Sequence, residues 1–142
     1  MKTNTPRVYT LSQGLEKLRR YCAYQERAQV EVRQRAYELG LREDEIEQAL
    51  TQLIIEDFVN EERFARAYSR GKFRIKQWGK IKIKLGLKSK QLSDTCVRMG
   101  LSEIDEDEYL KVLHEIVEKK GKLYAISRGF EKDLVNACVL SS

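Results

Sequence analysis

The sequence predicts an all-α protein, a tandem array of three three-helix repeats with the third shortened. Three observations predict it. The 142-residue chain holds a single proline, and 35% of its residues are charged, a composition that favours helices. A turn residue followed by an apolar residue recurs three times, as Gly40-Leu41, Gln91-Leu92 and Gly129-Phe130. Behind each turn, small or apolar residues return at the same offsets: Ile46, Ala49 and Leu50, then Val97, Gly100 and Leu101, then Val135, Cys138 and Val139. A unit this short cannot bury its apolar surface alone, so neighbouring copies pack on one another and leave a flank for binding. The expected division is a mobile basic lead-in over 1–10, a first repeat over 11–57, a basic second repeat over 58–103 and a third over 104–142.

The first helix is predicted from Leu11, Leu15, Leu18 and Cys22, which share one face at spacings of four, three and four. A second runs toward Gly40 with Val32 and Ala36 on its buried face, and glycine just past the end supplies a left-handed cap. Glu43, Asp44 and Glu45 open the third, where carboxylates meet the positive end of the helix dipole. Its apolar stripe is Ile46, Ala49, Leu50, Leu53 and Ile54. Asn60 then caps a helix that buries Phe64 and Tyr68. A related join follows at Ile104 to Tyr109, where Asp105 and Glu108 have capping-box spacing. The helix after it presents Tyr109, Val112, Leu113, Ile116 and Val117 and stops at Gly121.

Residues 80–88 conflict with this scheme. Lys80-Ile81-Lys82-Ile83-Lys84-Leu85-Gly86-Leu87-Lys88 alternates basic or small with apolar residues, which by periodicity alone reads as a half-buried strand. Helix is preferred, because Ile83, Leu87 and Leu92 fall where Val32, Ala36 and Leu41 fall in the first copy, and a lone strand has no partner for its backbone groups.

Net charge is +5 and the isoelectric point is near 9.1, which suits a polyanionic partner. Cys22, Cys96 and Cys138 are far apart among apolar or helix-forming neighbours and read as buried, reduced thiols. With no CxxC pair and one histidine, His114, no metal site is expected, and no cofactor. The acidic clusters at Glu43 to Glu47 and Glu103 to Glu108 sit where helices begin, so capping and dipole compensation account for them without catalysis. No P-loop, HExxH or nucleophile elbow occurs, so no catalytic residue is assigned and no enzyme is expected. No stretch approaches a membrane span or a signal-peptide core, and the expected location is the cytoplasm.

The strongest asymmetry is electrostatic. From Arg63 through Ser93 there is no Asp or Glu, yet eleven Lys and Arg residues occur, with Tyr68, Phe73 and Trp78 interleaved. Lysine and arginine neutralise phosphates with release of counterions, and aromatic faces stack on bases. The candidate binding residues are therefore Arg70, Arg74, Lys76, Trp78, Lys80, Lys82, Lys84 and Lys88. The competing reading is a solvated helical face over core aromatics, with Trp78 anchoring the turn before Gly79.

The succession of Leu18 through Arg27, Glu31-Val32-Arg33, Gly40-Leu41, Asp57 through Ala65, Trp78-Gly79-Lys80 and Ser127-Arg128-Gly129-Phe130 resembles the RecX family of bacterial recombination regulators over roughly residues 11–140. The resemblance implies binding to the RecA recombinase filament, with contact to its single-stranded DNA. It also implies inhibition of ATP hydrolysis, strand exchange and co-protease activity, within DNA repair and the SOS response. No membrane association is expected of the sequence, and a monomer is expected. Gln91 departs from the family pattern at a turn where glycine is usual, and the segment Gly121 to Arg128 is short for a middle helix.

Two other classes compete. A direct DNA-binding protein with helix-turn-helix-like units fits the helix lengths, but a mostly lysine strip suits phosphate attraction better than base readout. A purely structural adaptor would use Tyr24, Tyr37 and Tyr124 as anchors, although tyrosines at helix boundaries are more often half-buried packing residues.

Overall fold

The computed structural model describes residues 9–138, and within them the chain forms nine helices and no strand. They are α1 (Leu11–Tyr24), α2 (Gln29–Glu38), α3 (Glu43–Ile55), α4 (Glu61–Arg74), α5 (Lys80–Ser89), α6 (Asp94–Leu101), α7 (Glu106–Lys120), α8 (Lys122–Ser127) and α9 (Lys132–Asn136). They read as three successive trios. The third is shortened, with six residues in α8 and five in α9. Most of the expected lead-in, residues 1–8, lies outside the described residues, as does Val139.

The chain divides into two units, Met1–Phe64 and Ala65–Ser142, with the boundary inside α4. In the first, Thr10 and Gln13 exchange hydrogen bonds of 3.0 and 3.2 Å, a reciprocal box that closes the start of α1. Leu18, Cys22, Val32, Ala36, Leu41, Ala49, Leu50 and Leu53 form the core, with Leu11, Leu15 and Ile46 partly covered beside it. Ile54 is exposed, contrary to expectation. The buried stripe of α3 centres on Ala49, Leu50 and Leu53, and at about 100° per residue Ile54 turns past its edge.

Arg63 gathers several partners at the join into α4. The Arg63 guanidinium reaches the Glu26 carboxylate at 2.7 Å and the Asp57 carboxylate at 3.1 Å, and it also donates to the carbonyls of Asp57 and Phe58. Asn60 Oδ1 accepts the Arg63 backbone N–H at 3.0 Å, the cap expected from the sequence. At the later join the cap is only half the expected box. Asp105 accepts the Glu108 N–H at 2.9 Å, while the Glu108 carboxylate turns toward Arg74, 3.6 Å away.

The three repeat turns share one backbone device. Gly40, Gln91 and Gly129 all have left-handed φ, at 84°, 61° and 97°. Leu41 N–H and Phe130 N–H return to the carbonyls of Ala36 and Ala125, each at 3.2 Å, as in a Schellman closure. Gln91 takes the same conformation with a side chain attached, which costs about 1–2 kcal/mol.

Residues 80–88 are helical, and the strand suggested by their alternation does not form. Ile83 and Leu87 are fully buried, while Ile81 and Leu85 are 47% and 64% exposed. The alternation is thus shared between two faces of a helix. In the second unit Tyr68, expected to be buried, is only half-covered, and a Cβ on Gly86 would lie 2.0 Å from its hydroxyl. That glycine gives the phenol room to lie across α5. Likewise a Cβ on Gly100 would lie 2.8 Å from the Ala65 carbonyl oxygen, so the small residue lets α6 approach α4 closely.

Candidate interaction surface of the basic repeat

The N-terminus of α5 is seated in the last trio. Gly79 N–H donates to the Arg128 carbonyl at 2.8 Å, and Ile81 N–H to the Gly129 carbonyl at 3.0 Å. Lys80 N–H donates to the Tyr109 hydroxyl at 3.0 Å, and that hydroxyl donates to the Glu131 carboxylate. Arg128 also donates to the Lys76 carbonyl. Tyr109 is fully buried, with its ring 5.7 Å from Phe73 and 5.1 Å from Phe130. Burial, then the Glu131 carboxylate, push its phenol well above the ordinary range. Helix N-termini usually attract anions because their first N–H groups lack partners. Here three of those groups are occupied, so anion attraction falls to the side chains.

Folding neutralises much of the basic run. Arg66 and Arg70 both reach Glu103, at 3.2 and 2.6 Å, which holds that carboxyl below its usual range. Arg74 faces Glu108 at 3.6 Å, Lys80 meets Glu106 at 2.7 Å, and Arg63 is held by Glu26 and Asp57. Three of the eight sequence-predicted site residues, Arg70, Arg74 and Lys80, thus carry carboxylate partners. The acidic cluster beyond Ser102, read from the sequence as helix capping, supplies those partners.

What remains cationic is narrower. Among the described residues no carboxylate pairs with Lys72, Lys76, Lys82, Lys84 or Lys88. Lys84 and Lys88 project from α5 in the same exposed row as Ile81 and Leu85, the i, i+3, i+4, i+7 spacing of one helix face. Trp78 is half-buried, with the Lys72 and Lys82 ammonium groups 4.9 and 4.7 Å from its ring, and its backbone N–H donates to the Lys72 carbonyl at 3.1 Å. It anchors the turn and binds its own lysines through cation–π contacts, so it is no open stacking platform. Lys72, Ile75, Ile81 and Leu85, outside the sequence-predicted set, lie beside it; the signal for the three apolar residues was present as positions beyond those the repeat register needs.

Elsewhere, Cys22 and Cys138 are buried, and burial pushes the Cys22 thiol up to about 11. Cys96 is only half-covered, contrary to the expectation of burial, because it falls one position before the buried Val97. Tyr24, Tyr37 and Tyr124 are exposed rather than half-buried. Among the described residues no group of three or more His, Cys, Asp or Glu is placed to hold a metal ion, and no described helix is long and apolar enough to cross a membrane.

Trihelical repeats bearing a lysine surface define a class of helical-repeat proteins suited to binding. The family model for the RecX second three-helix domain matches residues 60–101. A regulatory protein RecX from Lactobacillus gasseri is 28% identical over 107 residues, spanning 72% of this chain and 40% of that protein. One from Clostridium acetobutylicum is 34% identical over 87 residues, spanning 56% and 40%. The crystal structure of RecX from Lactobacillus salivarius superposes with a TM-score of 0.81 over 90% of this chain and 93% of that one, at 24% identity, a likeness of fold. In residues 60–101 and in its curated relatives the chain is similar to the RecX family of regulatory proteins. It spans half or less of the length of the first curated relatives it matches.

Proposed function

We propose that this chain binds the RecA recombinase filament in the cytoplasm and inhibits its ATPase, strand-exchange and co-protease activities, acting without catalysis and without a cofactor in DNA repair and recombination. The division into repeats at 11–57, 58–103 and 104–142 belongs to the same reading. The observation that carries it is the lysine set Lys72, Lys76, Lys82, Lys84 and Lys88, left without carboxylates among the described residues although neighbouring basic residues are paired. Such a surface suits a polyanionic assembly and gives salt-sensitive affinity built from many weak contacts.

Direct duplex reading by α5 is the less supported alternative. Its exposed row is lysine, isoleucine and leucine, with none of the Asn, Gln or Arg side chains that read base edges, and its first N–H groups are occupied. The test is co-sedimentation with RecA assembled on single-stranded DNA, using wild type and Lys76→Glu/Lys84→Glu/Lys88→Glu. The proposal expects wild type in the pellet and the folded variant in the supernatant. Equal sedimentation of both would overturn it.

A further inference from the structure

Gly71 is a glycine that the fold does not require. It lies inside α4, its φ is not left-handed, and a Cβ placed on it would meet nothing within 4 Å. Glycine is the poorest helix former after proline, so its presence there weakens the helix without relieving any contact. Around it opens a shallow groove of about 230 Å³, lined by Ala67, Tyr68, Gly71, Lys72, Ile75 and Lys76. Ile75 is 79% exposed at its edge. Lys72 and Lys76 flank it without a carboxylate among the described residues, and the Lys72 ammonium is held 5.4 Å from the Tyr68 ring.

The chemistry of the groove selects its occupant. A second copy of this chain would bring lysine against lysine, a like-charge contact that opposes association. A phosphate backbone would satisfy the lysines but leave the Gly71 floor and Ile75 without apolar contact. An acidic protein segment that inserts one apolar side chain satisfies both, in the manner of a helix or strand docked by an anchor residue with charged flanks. We propose that the Gly71 groove of α4 receives an acidic protein segment carrying an apolar anchor, and that the missing Cβ is the room the anchor needs. This rests on the filament reading above and assigns the groove to the recombinase's protein surface rather than to its DNA.

The test compares wild type, Gly71→Ala and Gly71→Leu for melting temperature, for binding to RecA filaments and for binding to naked single-stranded DNA. Both variants are expected to melt no lower than wild type. Gly71→Leu should weaken filament binding about tenfold or more, and Gly71→Ala less, with naked-DNA binding changed less than about twofold. Should Gly71→Leu melt lower, the milder Gly71→Ala decides by the same comparison. Unchanged filament binding in folded variants would overturn the groove assignment while leaving the filament reading intact. Equal losses on filaments and on naked DNA would overturn it by placing nucleic acid in the groove. Failure of wild type to bind filaments would remove both.

Discussion

Gly79 and Gly129 interlock. A Cβ on Gly79 would lie 2.3 Å from the Gly129 carbonyl carbon and from the Phe130 nitrogen, and a Cβ on Gly129 would lie 2.4 Å from the Lys82 Cβ. The Trp-Gly-Lys and Arg-Gly-Phe motifs, 50 residues apart, are therefore two halves of one junction that fixes where α5 starts. A structural role accounts for both motifs, and the lysines beyond them are what the junction aims.

The junction predicts that Gly79→Ala is destabilising, because rigid backbone rather than a flexible side chain stands in the way. The expected loss is about 1–3 kcal/mol, read as a fall in the urea midpoint at an unchanged slope. An unaltered midpoint would show that the two turns can part without penalty.

Tyr109→Phe keeps the ring between Phe73 and Phe130 but removes the acceptor for Lys80 N–H and the donor to Glu131. Leaving such groups unmet costs about 1–3 kcal/mol. Differential scanning calorimetry should show a lower melting temperature, and faster amide exchange at Lys80 would locate the cause.

Gln91→Gly should act in the opposite direction. Relieving a left-handed glutamine at φ 61° is worth about 1 kcal/mol, and because Gln91 is exposed little packing is lost. The melting temperature is expected to rise by a few degrees; a fall would mean the side chain makes a contact of its own.

These positions also show how far the sequence was legible. The turns at residues 40, 91 and 129 were readable because a left-handed residue before a buried apolar one leaves a fixed offset in the chain. The helix at α5 was readable only through the repeat, since Ile81 and Leu85 face outward and blur its period. The charge run was legible but its pairing was not, because Glu103, Glu106 and Glu108 lie outside it in sequence and fold back onto Arg66, Arg70, Arg74 and Lys80. A linear count cannot see that return, which pairs Arg70, Arg74 and Lys80 with carboxylates.

The pairing has a pH signature. Arg70 and Arg66 lower the Glu103 carboxyl, and hydrogen bonds from Arg19 and Gln52 lower Glu56 to about 2. A carboxyl depressed on folding contributes stability that is full above its unfolded value near 4.5 and is lost as pH falls through the folded value. The gap in melting temperature between wild type and Glu103→Gln should therefore be widest above about pH 5 and narrow on acidification. A gap that stays constant with pH would show that the carboxylate charge does not stabilise the fold.

The most direct test of the central proposal is the ATPase rate of RecA already assembled on single-stranded DNA, titrated with this protein and repeated with excess DNA. The account predicts inhibition at less than one molecule per recombinase, persisting with added DNA and lost in Lys76→Glu/Lys84→Glu/Lys88→Glu. No inhibition, or full rescue by added DNA, would contradict it.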